Sequence, residues 1–392
     1  MTSERDAWIA LASVDGIGPE LFAQLIATFG SASDVVARAA AGDVGRWLAE
    51  RRRATGRPVM SNRALEELVA LSTTAGERLA RLVELGLWSL TPAEGDYPPR
   101  LRDLDPPPPV IHGAGERSVL SAVPAVAVVG TRRPTAGGRQ LAAQVATRLV
   151  ECGAVVASGV AVGIDGAAHA ATLARAGATV GVIGGGHLHP GPRAHAALRR
   201  RIVAAGGALI SEHYPTVHPT HGTYPRRNRI IAALAAATVV IEAPVGSGAL
   251  ITARHALELG RLVLIAPGRI GDWSTAGGLR LLRDSPARPL TGLDEMVVDL
   301  GYGASPTSAG APAGTTGTAG RTLSGGAALA MLGAAERVVA ERLRRSPAGL
   351  DVLVDDTGLP PAVVSGAVTL LLMRGWIQPI GPAYLPAGPL LR

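Results

Sequence analysis

Between residues 125 and 284 the chain repeats a single alternation, and few architectures accommodate it. Apolar runs at 125–130, 154–158, 178–183, 208–211, 237–241 and 262–266 are followed by helix-like stretches near 138–150, 165–176, 193–205, 227–236, 248–260 and 275–284. The runs are continuously apolar rather than alternating with polar residues. A strand with one face in water alternates, whereas a strand buried on both faces does not. The pattern predicts a parallel sheet with helices on both faces, a Rossmann-like α/β core.

The flanks read differently. Residues 1–90 predict helices broken by turns, and Val14-Asp-Gly-Ile-Gly-Pro-Glu-Leu has the pattern of a helix-hairpin-helix, or SAM-like, helical domain. Gly16 and Gly18 there either bring backbone N–H groups to a DNA phosphate or form a tight turn between packed helices. Residues 91–123 carry Asp96-Tyr-Pro-Pro and Asp105-Pro-Pro-Pro-Pro, too rich in proline for a helix and suited to an extended connection along a sheet edge. Residues 301–326 are almost entirely Gly, Ala, Ser, Thr and Pro with the single charge Arg321, the composition of a flexible linker. Beyond them, helical patterns at 334–345, 350–357 and 360–374 precede short strands around Trp376 and Tyr384, a winged-helix-like module over 327–392. The expected domains are therefore 1–90, 91–300 and 327–392, with 301–326 as linker.

Ligands of an open parallel sheet sit at the carboxyl ends of its strands. Gly130-Thr131-Arg132-Arg133-Pro134 follows the first strand, Ser158-Gly159-Val-Ala-Val-Gly163 the second, Gly184-Gly-Gly the third and Pro244-Val-Gly246-Ser247-Gly248 the fifth. Tyr224-Pro-Arg226-Arg227-Asn228-Arg229 opens a helix. Glycine turns admit a phosphate, helix starts offer free N–H donors, and guanidinium forks match phosphate oxygens. All 38 basic residues are Arg and none is Lys, so a lone arginine says little and only clusters at turns count. The net charge of +7 gathers in residues 124–300, where 18 Arg face 10 acidic residues. Arginines that merely solvate a helix end are the plainer alternative. The second arginine turn at Arg132 and Arg133 favours a polyphosphate ligand, either a nucleotide or a nucleic-acid backbone.

Several chemistries lack their signatures. A dinucleotide site needs Gly-x-Gly-x-x-Gly after the first strand, where this chain has Arg132, Arg133 and Pro134, and a P-loop needs a lysine. Cys152 is the lone cysteine, so neither a disulfide framework nor a cysteine zinc site is expected. His187, His189 and His195 lie close together without a carboxylate at ligand spacing, and no metal is expected. Asp165 is expected to cap the helix that follows it rather than act as an acid or base. A charged N-terminus and the absence of a long apolar run predict a cytoplasmic protein without signal peptide or membrane span.

Taken together, Val128-Val-Gly-Thr-Arg-Arg-Pro-Thr, Ser158-Gly-Val-Ala-Val-Gly-Ile-Asp-Gly-Ala-Ala-His, Pro225-Arg-Arg-Asn-Arg-Ile-Ile-Ala, Ser247-Gly-Ala-Leu-Ile-Thr-Ala and Ala266-Pro-Gly resemble the DprA/Smf family of DNA-processing proteins. The resemblance runs from about Asp96 to Gly301. It implies a recombination mediator of natural transformation that binds and protects incoming single-stranded DNA, loads RecA onto it, and works as a homodimer without cofactor, metal or catalytic residue. Carried over by position, it puts DNA contacts on Arg132 and on Arg226, Asn228 and Arg229. The chain's own turns add Gly130, Thr131, Arg133, Ser158, Gly159, Gly163, Arg227, Gly246, Ser247 and Gly248. Departures from the family pattern fall at Val162, at Pro190-Gly191-Pro192 and at Leu279, and no DNA contact is expected from Val162 or the His187–His189 turn.

One rival is an enzyme of the same superfamily, a nucleotide phosphoribohydrolase. Its motif needs a catalytic glutamate where this chain has Thr252, and a hydroxyl does not replace a carboxylate as general base. Another is an adaptor that no longer handles DNA, which would have no need of the glycine and arginine turns.

Overall fold

Strands buried on both faces form the middle of a nine-stranded sheet in the computed structural model, which describes residues 3–121, 125–191, 193–220, 222–302, 334–373, 376–380 and 383–386. Five helices come first: α1 (Glu4–Ala12), α2 (Pro19–Phe29), α3 (Ala32–Ala40), α4 (Asp43–Thr55) and α5 (Asn62–Glu84). Strands β1 (Trp88–Leu90) and β2 (Ile111–Gly115) follow. The alternating core then runs β3 (Ala125–Val129), α6 (Ala136–Glu151), β4 (Val155–Ser158), α7 (Ile164–Ala174), β5 (Thr179–Val182), α8 (Ala196–Ala204) and β6 (Ala208–Ser211). It continues with α9 (Thr223–Leu234), β7 (Ala235–Val240), α10 (Gly248–Glu258), β8 (Leu262–Ile265), α11 (Ala276–Asp284), β9 (Arg288–Pro289) and α12 (Leu293–Asp299).

The strand order is β1-β2-β6-β5-β4-β3-β7-β8-β9, parallel from β6 through β9. Every residue of β3, β4, β5 and β6 is buried, the reason those runs carry no polar alternation. Along β3, Ala125, Ala127 and Val129 point into one apolar layer with Ile230, Leu234 and Ala253 of α9 and α10. Val126 and Val128 point into the other with Ala142, Val145 and Leu149 of α6. The proline-rich stretch supplies β2 of the antiparallel edge, which pairs with β6 and with β1, a strand at the end of the stretch expected to be helical, and a short 3-10 turn at Pro99–Asp103 lies between β1 and β2.

The helical stretch 1–90 has its own apolar centre around Leu11, Leu25 and Leu68, yet it is not a separate body. Residues Met1–Pro306 form one compact unit. Ile9 and Leu82 pack with Val110 and Tyr214, and the Trp8 indole donates to the Pro109 carbonyl at 2.7 Å. The expected linker 301–326 lies, beyond Tyr302, outside the described residues, as does Pro192.

A second unit, Thr307–Arg392, holds α13 (Ala334–Leu343), β10 (Ala348–Gly349), α14 (Leu350–Thr357), α15 (Pro361–Met373), β11 (Ile377–Ile380) and β12 (Ala383–Pro386). Its antiparallel sheet runs β10-β12-β11, and Val339, Leu353, Val364 and Leu371 lie in its core. No charged residue occurs in α15, and its Val363 and Leu370 are exposed.

Candidate nucleic-acid interface

The strand order reverses beside β3, with β4 on one side and β7 on the other. Loops leaving the two strands at such a switch point diverge and open a crevice. Here it is a cleft of about 500 Å³, lined by Gly130–Arg133 after β3, Ala161 and Asp165 after β4, Pro244–Ala249 after β7, and the first turn of α9. The turns after β3, β4 and β7 and the start of α9 thus meet at one place, and the Gly184–Gly186 turn does not line it.

The turn after β3 is fixed from below. Thr131 N donates to the Glu242 carbonyl at 2.7 Å, and Ile164 N donates to the Thr131 carbonyl at 3.2 Å. Gly163 has φ +96°, and a Cβ there would lie 2.3 Å from Thr131 O and 2.8 Å from Arg132 Cα, so only glycine lets α7 start this close. Arg132 and Arg133 stand exposed above this floor, and the Arg132 guanidinium lies 5.2 Å from the centre of the Tyr224 ring. Neither arginine has an ion-pair partner among the described residues.

The other arginine cluster splits three ways. Arg227 is buried and donates to the carbonyls of Gly159, at 2.6 Å, and Val182, tying the ends of β4 and β5 to α9. Burial pulls its pKa down to about 10 against the opposing charge of Asp165. Arg229 turns away from the cleft and pairs with the nearly buried Glu212. Arg226 is exposed, lines a different cavity against Gly16, Gly18 and α2, and lies 3.6 Å from Glu20. Arg132 lines the cleft, whereas among the described residues Arg229, expected as a DNA contact from the resemblance, does not. Asn228 does, with its amide donating to the Gly248 carbonyl at 3.0 Å.

Other expected residues divide in the same manner. The Ser158 hydroxyl donates to the Val128 carbonyl at 2.6 Å and is buried. A Cβ at Gly159 would lie 2.7 Å from Asp165 Oδ2 and 2.8 Å from Arg227 Nη2, so the missing side chain makes room for the Asp165 carboxylate and the Arg227 guanidinium. Gly130 likewise packs on Ile164. Gly246, with φ +80° and nothing within 4 Å of a Cβ, is open, and Ser247 caps α10 by accepting from Ala249 N at 3.3 Å.

Asp165 is not the helix cap that its position suggested. Gly163 precedes the first residue of α7, and Asp165 sits inside the first turn, buried, accepting from Ala161 N at 3.4 Å. Burial raises its carboxyl pKa, with the Arg227 charge pulling the other way. Thr252, where the rival enzyme needs a carboxylate, lines the cleft as a buried hydroxyl. His187 and His195 each hydrogen-bond a backbone carbonyl, and His189 stacks on His218. Among the described residues no group of three or more His, Cys, Asp and Glu is arranged to hold a metal.

Two residues with clear roles were not assigned from the sequence. Tyr224 packs on Arg132, and Glu242 holds the arginine turn, with Thr135 N at 2.9 Å and the Thr135 hydroxyl at 2.6 Å both donating to its carboxylate. A carboxylate immediately after a buried apolar strand was the available signal.

Comparison with known proteins decides the family. The profile of DNA recombination-mediator protein A matches residues 88–301, and that of the DprA winged helix domain matches residues 326–380. The chain belongs to the DprA/Smf family. A curated relative of Mycobacterium tuberculosis, named as a DNA processing protein DprA, is 36% identical over 384 residues, 94% of this chain and 91% of the relative. The DprA of Bacillus subtilis is 38% identical over 205 residues, 52% of this chain and 69% of that one. The X-ray structure of Streptococcus pneumoniae DprA aligns with a TM-score of 0.55 at 31% identity, covering 64% of this chain and 86% of that one. DprA/Smf proteins are DNA-binding recombination mediators rather than enzymes, and the sheet core with its winged-helix module is the DprA architecture. No helix among the described residues is long and apolar enough to cross a membrane.

Proposed function

We propose that this DprA/Smf protein binds single-stranded DNA at the switch-point cleft, protects it, and passes it to RecA as a cytoplasmic recombination mediator of natural transformation. The observation that carries this reading is the pair Arg132 and Arg133, exposed on an immobilised turn at the mouth of the cleft, with the open Gly246–Gly248 turn opposite. Such an arrangement grips phosphates without reading bases, as a protein that accepts any incoming strand requires. Asn228 orders the turn after β7, and Arg227 and Arg229 brace α9 from beneath the surface. The uncharged α15 suits a protein contact better than a phosphate backbone, which favours the middle of the chain as the strand-binding part. A homodimer follows from the family resemblance.

Fluorescence-anisotropy titration against single-stranded and duplex DNA of equal length tests the reading. Single strands are expected to bind more tightly, with a log–log salt slope of about −0.7 per neutralised phosphate. Equal affinity for blunt duplex, or binding insensitive to salt, would overturn it.

A further inference from the structure

We propose that Glu242 is a positioning residue for DNA binding: its carboxylate clamps the turn that presents Arg132 and Arg133, and acts on the strand without touching it. The proposal rests on the reading of the cleft as the strand site. A carboxylate beside a phosphate site repels its ligand unless it is engaged elsewhere, and this one is. Glu242 directly follows Ile241 beyond the end of β7 and is 7% exposed. Thr135 N donates to its Oε2 at 2.9 Å and the Thr135 hydroxyl to its Oε1 at 2.6 Å. Hydrogen bonds to an ionised acceptor are about twice as strong as neutral ones.

The same threonine hydroxyl accepts from Gly138 N at 3.0 Å and so caps α6. A Cβ at Gly138 would lie 2.4 Å from the Glu242 carboxyl carbon, which shows how closely the first turn of α6 folds over the acid. The positive end of α6 therefore faces Glu242, and its charge is compensated inside the protein rather than offered to a ligand. The main-chain carbonyl of Glu242 meanwhile takes Thr131 N at 2.7 Å. One residue thus grips the loop at Thr131 and at Thr135, and the two exposed arginines are what lies between, apart from Pro134. Fixing the backbone before the strand arrives removes an ordering cost from binding.

The test uses the full chain, a fluorescent single-stranded oligonucleotide and a melting curve for each variant. Glu242→Gln keeps the shape but sets an amide N–H₂ against a Thr135 donor, Thr135→Val removes the hydroxyl, and Thr135→Ser restores it. E242Q and T135V are each expected to weaken binding roughly tenfold, while T135S stays within about twofold of the parent. In an R132A/R133A background E242Q should cost less than about twofold more, because the clamp then has nothing to position. An equal loss with and without the arginines would overturn the role, as would unchanged affinity in both E242Q and T135V while R132A/R133A loses binding. If E242Q does not fold, T135V and T135S carry the comparison at an exposed position. Unchanged affinity in R132A/R133A itself would sink the cleft reading, and the clamp with it.

Discussion

Arg132-Arg133 and Arg226-Arg227-Asn228-Arg229 look interchangeable on paper, two arginine clusters at strand ends or helix starts. In the folded chain they do opposite work. The first pair projects from a turn whose backbone is anchored at both sides, and both guanidiniums stay exposed without an ion-pair partner among the described residues. The second cluster lies on a helix, where successive residues are rotated by roughly 100°. Arg226, Arg227 and Arg229 therefore point to three faces: toward the N-terminal helices, into the core, and toward Glu212. A cluster on a turn concentrates charge, whereas the same cluster on a helix distributes it.

The sharpest way to break this comparison is Arg227→Ala. It leaves the Gly159 and Val182 carbonyls unsatisfied and the buried Asp165 without its nearby positive charge. A loss of roughly 3 kcal/mol of stability is expected. Denaturant unfolding measures it; an unchanged midpoint combined with lost DNA affinity would mean Arg227 belongs with the ligand-facing group.

Arg132→Ala should do the reverse. Removing one charge-assisted phosphate contact is expected to cost about 1.5–3 kcal/mol of binding, roughly tenfold to a hundredfold, with the melting temperature hardly moved. The salt slope should also become shallower by about one phosphate's share. Intact affinity with a sharply lowered melting temperature would make Arg132 a structural residue and erase the contrast.

Much of this was legible in the sequence, because burial on both faces dictates unbroken apolar strands and the six core strands lie where those runs do. The cleft was legible too, since glycine and arginine turns mark the carboxyl ends of β3, β4 and β7. What could not be read was direction. Spacing alone does not say that Gly159 makes room for Asp165 and Arg227, or that Arg229 finds Glu212. Asp is a good cap, but the tight approach allowed by Gly163 starts the helix a residue before Asp165 and leaves that side chain inside the first turn. Nor does spacing reveal the role of Glu242, whose partner Thr135 is 107 positions away.

The core behind Arg227 supplies a pH test. His169 is buried with its Nδ1 2.7 Å from the Thr179 hydroxyl. Burial, and then the charges of His195 and Arg227, push its pKa down to about 3. His112 is likewise driven to about 3 by burial, with His187 and His213 nearby. In the unfolded chain each imidazole titrates near the ordinary value of about 6.5. The folded pKa is depressed, so the stability contribution is complete above about pH 6.5 and declines as pH falls toward 3, because the unfolded chain takes up protons that the core refuses. The expected slope is about 1.4 kcal/mol per pH unit for each histidine. Unfolding free energies at pH 7 and 5 measure it. A flat profile would mean these histidines charge without unfolding.

Arg226→Ala should have the smallest effect and tests where the interface stops. Arg226 is exposed, lies 3.6 Å from an equally exposed Glu20, and lines the cavity on the helical side rather than the cleft. Exposed pairs of this kind contribute less than about 1 kcal/mol, so stability should scarcely change. Its charge still adds to the field felt by an approaching strand, but screening over about 8 Å at physiological salt limits that help. A loss below roughly threefold in single-strand affinity is expected, larger at low salt, with Glu20→Gln shifting affinity slightly the other way. A loss equal to that of Arg132→Ala would place the strand across the start of α9 and against the Gly16–Gly18 turn. The helix would then concentrate charge after all, and the two arginine clusters would be one site.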